Sequence, residues 1–313
     1  MKNIALLFVA VTFLLIAEGC RRSEKLDDNK PTIALVLKTL NNPYFIDMQN
    51  GAEAAAKRFN VNIIVQAADR EVDVEKQMQI IENLIQMRVN VICVAPSGSQ
   101  EIVPAILKAN EADIPIIAID TRVDKNVLLE SGGEVLSFIG SDNKDGGKLA
   151  GQFIVNELGK SGNVAILEGI PGHETGDARL AGFYEVANKS ENIKVVVSQT
   201  ANWERDQGYN VMQNILQAHP EIEAVFACND MMALGAVEAI SAANRTGEII
   251  VVGFDAISDC RAAIKAEEMH ASIAQHPEAM GRLAVEYALK VINGESIPDE
   301  IPVGIELITK ENL

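Results

Sequence analysis

Cysteine is scarce in this chain. Four occur in 313 residues, and beyond Cys20 the remaining three (Cys93, Cys228, Cys260) show no CxxC or paired spacing. A disulfide framework is therefore not expected, and Cys93 (VICVAP) and Cys228 (VFACND), set in apolar strand-like runs, read as small buried hydrophobes. The four histidines, His173, His219, His270 and His276, are scattered without metal-ligand spacing, so neither a metal nor a cofactor is expected. His173 and His276 read as solvated surface positions, with a place lining a ligand cleft as the alternative. There is no G-x-S-x-G elbow, no Walker A loop and no G-x-G-x-x-G after the first strand, which removes the common hydrolase, NTPase and dinucleotide readings. Basic charge is in deficit, with 27 Lys and Arg against 44 Asp and Glu, a net charge of −17. That balance argues against nucleic acid or an anionic membrane surface as a partner.

Beyond the N-terminus no apolar run is long enough to span a bilayer. At the N-terminus, Lys2 precedes an apolar stretch from Ile4 to Ala17, the length of a signal h-region. It ends in Ala17-Glu18-Gly19-Cys20, which resembles a bacterial lipoprotein signal and implies cleavage before a diacylglyceryl-modified Cys20, with ordinary soluble secretion as the alternative. Residues 1–19 are then the signal and residues 20–30, polar and mixed in charge, a flexible tether. The expected location is the periplasm or cell envelope.

From residue 31 the chain alternates. Short β-branched runs recur at Ile33–Leu37, Val61–Val65, Asn90–Val94, Pro115–Ile119 and Ser137–Gly140, and again at Asn163–Leu167, Lys194–Ser198, Glu223–Ala227, Ile249–Gly253 and His270–Ala274. Helical patterns lie between them. In Val74–Met87, Val74, Met78, Ile81 and Ile85 recur at helical spacing, and Asp73 stands where a cap would. Phe183–Ala187, Gln207–Ala218, Ala233–Ala242 and Met280–Val291 behave similarly. Strands alternating with helices imply βαβ units and parallel sheets covered on both faces, an α/β fold. About ten strands suit two doubly wound sheets better than one, with the change of domain near Ser141–Asn143.

Polar and aromatic side chains gather at the strand ends. KTLNNPYF follows the first strand and offers Lys38, Asn41, Asn42, Tyr44 and Phe45, stiffened by Pro43. Asp120 follows PIIAI, Asn229 and Asp230 follow AVFAC, Asp255 ends IVVGFD after Phe254, and Gln275 follows ASIA. Trp203, the only tryptophan, lies in SQTANWERD and Arg179 in GDARLAGF. Taken singly, an acid at a strand end is commonly a helix cap and KTLNNPYF an ordinary Asn-Pro loop. Together they place carboxylates, amides, a guanidinium and aromatics where open α/β sheets bind ligands. Carboxylates accept from hydroxyls, amides donate and accept, and aromatic faces cover C–H surfaces, a mixture suited to an uncharged polyol with both aspartates ionised as acceptors. Asp120 and Asp255 as glycosidase carboxylates are the enzyme alternative.

In order and separation, LKTLNNPYF, GSDN (Gly140–Asn143), ARLAGF, NVMQNIL, CNDMMALGA and VVGFD resemble segments of the ribose-, allose- and galactose-binding branch of bacterial periplasmic binding proteins. These are the type I solute receptors of ABC sugar importers. The resemblance implies two similar doubly wound lobes joined by a three-strand hinge: residues 31–141 plus 276–304, and residues 142–275 plus 305–313. It implies ligand contacts at Lys38, Asn42, Tyr44, Phe45, Asp120, Arg179, Trp203, Asn229, Phe254, Asp255 and Gln275. It also implies a monomer that captures a monosaccharide (an allose- or ribose-like aldose or a related ketose) and docks on an ABC permease in the cytoplasmic membrane or on a chemoreceptor; a polyol ligand is the alternative. Acids at Glu53, Glu111 and Glu174 are expected as solvated helix faces, with contact to permease cations as the alternative. Two departures matter. Ala95 and Thr121 stand where ribose-type members carry Asn and Arg, with Arg122 one place on. This implies a roomier first-lobe wall and a preference for a hexose over ribose; the alternative is that both positions lie behind the ligand contacts and ribose remains the best ligand.

Overall fold

The computed structural model describes residues 26–313. The export signal, Cys20 and the first part of the tether lie outside the described residues. The end of the expected tether is held, because the Asn62 side chain accepts from the Asp27 backbone N–H at 3.1 Å and donates to the Asp27 carbonyl at 2.9 Å.

Two six-stranded sheets organise the chain. The first contains β1 (Thr32–Leu37), β2 (Asn62–Ala67), β3 (Val91–Val94), β4 (Ile116–Ile119), β5 (Ser137–Gly140) and β11 (Glu300–Pro302), in the order β11-β5-β4-β3-β1-β2 and all parallel. The second contains β6 (Ser161–Glu168), β7 (Asn192–Thr200), β8 (Ala224–Ala227), β9 (Ile250–Asp255), β10 (Ala271–Ala274) and β12 (Glu306–Thr309), in the order β12-β10-β9-β8-β6-β7. Only β12 runs antiparallel there. Each sheet grows first to one side and then to the other, so each has a switch point, between β1 and β3 and between β6 and β8. Ligand crevices form at such points.

The alternation of side chains along β1 shows why the first sheet is covered on both faces. Ile33, Leu35 and Leu37 join a core that includes α1 (Pro43–Phe59) and α10 (Pro277–Ile292), while Ala34 and Val36 join one with α2 (Val74–Gln86) and α3 (Val103–Glu111). The short α4 (Lys125–Glu130) follows β4. In the second lobe α5 (Asn143–Glu157) packs on α6 (Glu174–Ala187), and α7 (Arg205–Ala218) on α8 (Asp230–Ala242), with α9 (Ser258–Lys265) completing the set. The α5–α6 approach is close enough to require glycine. A Cβ on Gly147 would sit 2.0 Å from the Arg179 carbonyl oxygen, and one on Gly182 would sit 1.9 Å from that of Lys144.

Three segments pass between the lobes: residues 141–142 from β5 to α5, residues 275–276 from β10 to α10, and residues 303–305 from β11 to β12. The fold is thus the two-lobed doubly wound arrangement that the resemblance implies. The strands β11 and β12 are additions to the ten read from the sequence; each is an edge strand of three or four residues, too short for a periodic signal. Asp73 does precede α2 but does not cap it with its side chain, which accepts instead from the Arg70 N–H at 3.0 Å. The buried stripe of α2 also includes a polar residue, Gln77. Its amide donates to the carbonyls of Leu37 and Ala95 and accepts from the Ser97 N–H at 2.8 Å, tying the ends of β1 and β3 together.

Candidate functional site

The carboxyl ends of β1 and β4 deliver the first-lobe groups. Asn42 is extended and caps α1 by accepting from the Tyr44 N–H at 3.0 Å, and Pro43 occupies the first turn, where its missing N–H costs nothing. This turns Tyr44 and Phe45 inwards, edge to face with centroids 5.2 Å apart. Lys38 and Asp120 form a buried ion pair, Nζ to Oδ2 at 2.9 Å, with both side chains 4 % exposed. The other Asp120 oxygen accepts from the Tyr44 hydroxyl at 2.9 Å, and Lys38 lies 5.6 Å from the Phe45 ring centroid. Burial alone would raise the Asp120 pKa; Lys38, Arg179 and Tyr44 outweigh it and hold the carboxyl below its usual value.

From the second lobe, α6 presents Arg179, only 3 % exposed. Its Nε donates to Asn143 Oδ1 at 2.9 Å and its Nη1 to the Cys228 carbonyl at 2.5 Å, while its plane lies 3.7 Å from the Phe254 centroid. Nη2 stands 3.8 Å from Asp255 Oδ1, an oxygen that also accepts from Gln275 Nε2 at 2.8 Å. Asn229 caps α8 through the Met232 N–H and donates to the Trp203 carbonyl at 3.1 Å. A second tier aims Asp255. Asp230 accepts from the Ile257 N–H at 2.9 Å and the Ser272 hydroxyl at 2.7 Å, and Ser272 Oγ accepts from the Ala256 N–H at 3.0 Å. Positive φ angles gather at these strand ends: Asp120 (63°), Trp203 (67°), Asp255 (114°) and Ala256 (51°). Backbone strain of this kind costs about 1–3 kcal/mol per residue and clusters where side chains must be aimed.

Between the lobes these groups enclose a narrow cavity. Lys38, Asn42, Tyr44, Phe45, Asp120, Arg179, Trp203, Asn229 and Asp255 line it, joined by Glu71 and Thr175. Phe254 is fully buried beneath Arg179. Gln275 faces an adjoining open groove that also contains Tyr44, Asp255, Arg58, Arg261 and Arg282. The candidate site is the smaller space, because the buried charges and the strained backbone converge there. The lobes meet over it, with Thr121 Oγ1 2.8 Å from Thr175 Oγ1, the Glu174 N–H donating to Ser99 Oγ at 3.1 Å and Arg70 Nε 3.3 Å from Glu204.

Several expectations need correction. His173 is 2 % exposed and not on the surface; among the described residues neither ring nitrogen has a hydrogen-bond partner, and burial with the nearby Lys38 charge lowers its pKa to about 3. His276 is exposed, as expected. Glu174 is half-buried against the first lobe, 3.9 Å from Arg122, and is not a solvated face. Asp255 is not a plain ionised acceptor, since burial raises its pKa well above the usual value against the opposing pull of Arg179. Asn41 is exposed and bonds the Asp69 carbonyl at 2.7 Å. The first-lobe wall is not opened by its departures. Ala95 is buried outside the cavity lining, Thr121 donates to Asp120 at 3.0 Å, and Arg122 turns away to Glu300 at 2.8 Å.

Glu71 and Thr175 were not singled out from the sequence. Glu71 sits among four charges in ADREVD and reads as solvated, and Thr175 has no strand-end signal. Among the described residues there is no cluster of potential metal ligands. Chemically the cavity offers carboxyls, a guanidinium, an ammonium, amides and aromatic faces, a set that both donates to and accepts from hydroxyl groups.

Comparison with known proteins bears on this arrangement. Residues 33–296 match the model of the periplasmic binding protein domain. The chain is 36% identical to the ribose import binding protein of Bacillus subtilis, covering 99% of each, and 37% identical to the D-allose-binding periplasmic protein of Escherichia coli, covering 79% of this chain and 80% of that one. Among solved structures, an ABC transporter periplasmic solute binding protein from Actinobacillus succinogenes with bound D-allose superposes with a TM-score of 0.85 at 41% identity, covering 90% of this chain and 98% of that one.

Proposed function

The chain belongs to the periplasmic binding protein family, and we propose that it is the sugar receptor of an ABC importer, closing its two lobes on one monosaccharide. The observation that carries this reading is the convergence of groups from both lobes on one small cavity: Lys38, Asn42, Tyr44, Phe45 and Asp120 from one side, and Arg179, Trp203, Asn229 and Asp255 from the other. Neither lobe alone satisfies a ring of hydroxyls, so ligand binding and lobe closure form a single equilibrium. On this reading Phe254 supports Arg179 and Gln275 holds Asp255 from the hinge. The rigid bodies are residues 31–141 plus 276–304 and residues 142–275 plus 305–313.

A hexose of the allose kind, or a related ketose, is the favoured ligand over ribose. The relative solved with D-allose supports this. Each ligand hydroxyl without a partner leaves a buried polar group unsatisfied at ~1–3 kcal/mol, which is the physical basis of selection. The same chemistry serves binding without reaction, because the carboxyls are engaged by Lys38, Tyr44 and Gln275 and not set about a scissile bond. The receptor is exported, held at the membrane through a lipidated Cys20, and acts as a monomer towards a permease.

A thermal-shift screen of the mature chain against ribose, allose, its ketose isomer, galactose and sugar alcohols tests this reading. A single sugar class raising the melting temperature is the expected result. A panel without any shift would remove the sugar reading.

A further inference from the structure

We propose that Glu71 is a third carboxylate that reads the sugar, accepting a hydrogen bond from one ligand hydroxyl and turning anionic sugars away. The inference rests on the sugar-binding reading and extends it to a residue on the turn after β2.

Glu71 is 6 % exposed, and its burial is built in. Thr39 Oγ1 and Asn41 Nδ2 donate to the Asp69 carbonyl at 3.0 and 2.7 Å, and Asp73 accepts from the Arg70 N–H, so the turn is tied to the end of β1 and to the start of α2. Glu71 Oε1 accepts from Asn42 Nδ2 at 3.3 Å, which orients the amide of a cavity residue. Among the described residues no donor reaches its other oxygen and no cation forms an ion pair with it, because Lys38 is spent on Asp120. Glu71 nonetheless lines the interlobe cavity.

It also lines a second small space towards the outer edge of the cleft, beside Asp69, Arg70 and Glu204. Asn42, Glu71 and Trp203 are common to both spaces and so form the partition between them. A carboxylate with a free acceptor at that partition meets the ligand at its outward end. Counted by charge type, the cavity lining holds Lys38 and Arg179 against Glu71, Asp120 and Asp255. Because burial lifts the Asp255 pKa well above its usual value, an ionised Glu71 decides the balance against Lys38 and Arg179, and with it the lining suits a neutral ring rich in O–H donors and opposes a ligand carrying a carboxylate or phosphate.

Titration of Glu71 gives a second handle. The groups facing it are Lys38 beyond β1, Asp120 beyond β4 and Glu204 before α7; burial, its largest influence, lifts its pKa to about 7 against the pull of Lys38. The acceptor form therefore gains population as pH rises through neutrality, and sugar affinity should rise with it. Replacement by Gln should flatten that dependence.

Calorimetry of the mature chain and its Glu71→Gln and Glu71→Ala variants decides the matter. The probes are D-allose, D-ribose, the monodeoxy forms of whichever binds more tightly, and the corresponding aldonate. Glu71→Ala should weaken binding of the neutral sugar by about 10- to 100-fold, the range for one buried hydroxyl contact. For one deoxy sugar, and one only, the losses from ligand and protein should fail to add. The aldonate should bind Glu71→Gln more tightly than the native chain. Equal affinity of native chain and variants for the neutral sugar, or additivity at every hydroxyl, overturns the role of Glu71 and leaves the sugar reading standing. Failure of both D-allose and D-ribose to bind the native chain overturns the sugar reading itself, and Glu71 with it.

Discussion

Removing the carboxylate of Asp120 should do more damage to the empty protein than its place in a binding site suggests. In Asp120→Ala the Lys38 ammonium, with its side chain 4 % exposed, loses the counter-charge that, among the described residues, is paired with it at 2.9 Å. Stranding one member of a buried ion pair costs about 3–5 kcal/mol. The Tyr44 hydroxyl loses its 2.9 Å acceptor as well and keeps only a 3.4 Å contact to Met280 Sδ. The reverse change, Lys38→Met, should be milder. Asp120 would keep hydrogen bonds from Tyr44 and from Thr121 at 3.0 Å, together with the attraction of Arg179. In the double variant no charge is stranded, so its loss should fall short of the summed singles by about 2 kcal/mol or more. The assay is urea denaturation of all four proteins at pH 7. Because the Asp120 carboxyl is held below its usual pKa, its contribution is present above about pH 4 and is lost on acidification below that. Two single variants each costing under about 1 kcal/mol, with additive effects, would refute the reasoning that the pair is buried and mutually dependent.

Trp203 should report closure by fluorescence. A Cβ on Gly169 would lie 1.9 Å from its indole, so the ring is confined, and saturating sugar should shift emission and reduce quencher access; unchanged spectra would make Trp203 a packing residue. His173 should contribute to acid unfolding. Its pKa is depressed to about 3, so the stability of its neutral form is present above pH 6.5 and is lost as pH falls towards 3, up to about 5 kcal/mol in all. The variant His173→Gln should hold its urea midpoint better between pH 6 and 4, and an identical pH profile would contradict the assignment. Arg179→Lys should lower stability by about 2–4 kcal/mol, because a lysine cannot reach Asn143 and the Cys228 carbonyl at once while covering Phe254; a loss within 0.5 kcal/mol would argue against that three-way fit.

The parts legible in the sequence were those encoded by local pattern. The stiff Asn42-Pro43 turn, the acids ending β4 and β9, and the amide Asn229 after β8 are each set by one strand and the residue that follows it. The sheets were legible for the same reason, since buried parallel strands are continuous apolar runs. What escaped depends on contacts between distant segments. Glu71 looks solvated in its own charged turn and is buried only because Thr39 and Asn41 bind that turn to β1. His173 and Glu174 lie on a polar helix start that the opposite lobe covers, an event with no local signature. Ala95 and Thr121 illustrate the converse. Their residue types suggested extra space, but Gln77 and Thr175 occupy the hydrogen-bonding positions around them.

Calorimetric titration of D-allose into the native chain and into Asp120→Asn tests the central claim most directly, because Asn keeps the shape of the side chain while removing its charge. One sugar per chain should bind the native protein, with affinity falling by about 1.5–3 kcal/mol in the variant, the loss for a hydrogen bond to a charged group. Binding of the same strength to both proteins would place the sugar outside the interlobe cavity and contradict the account.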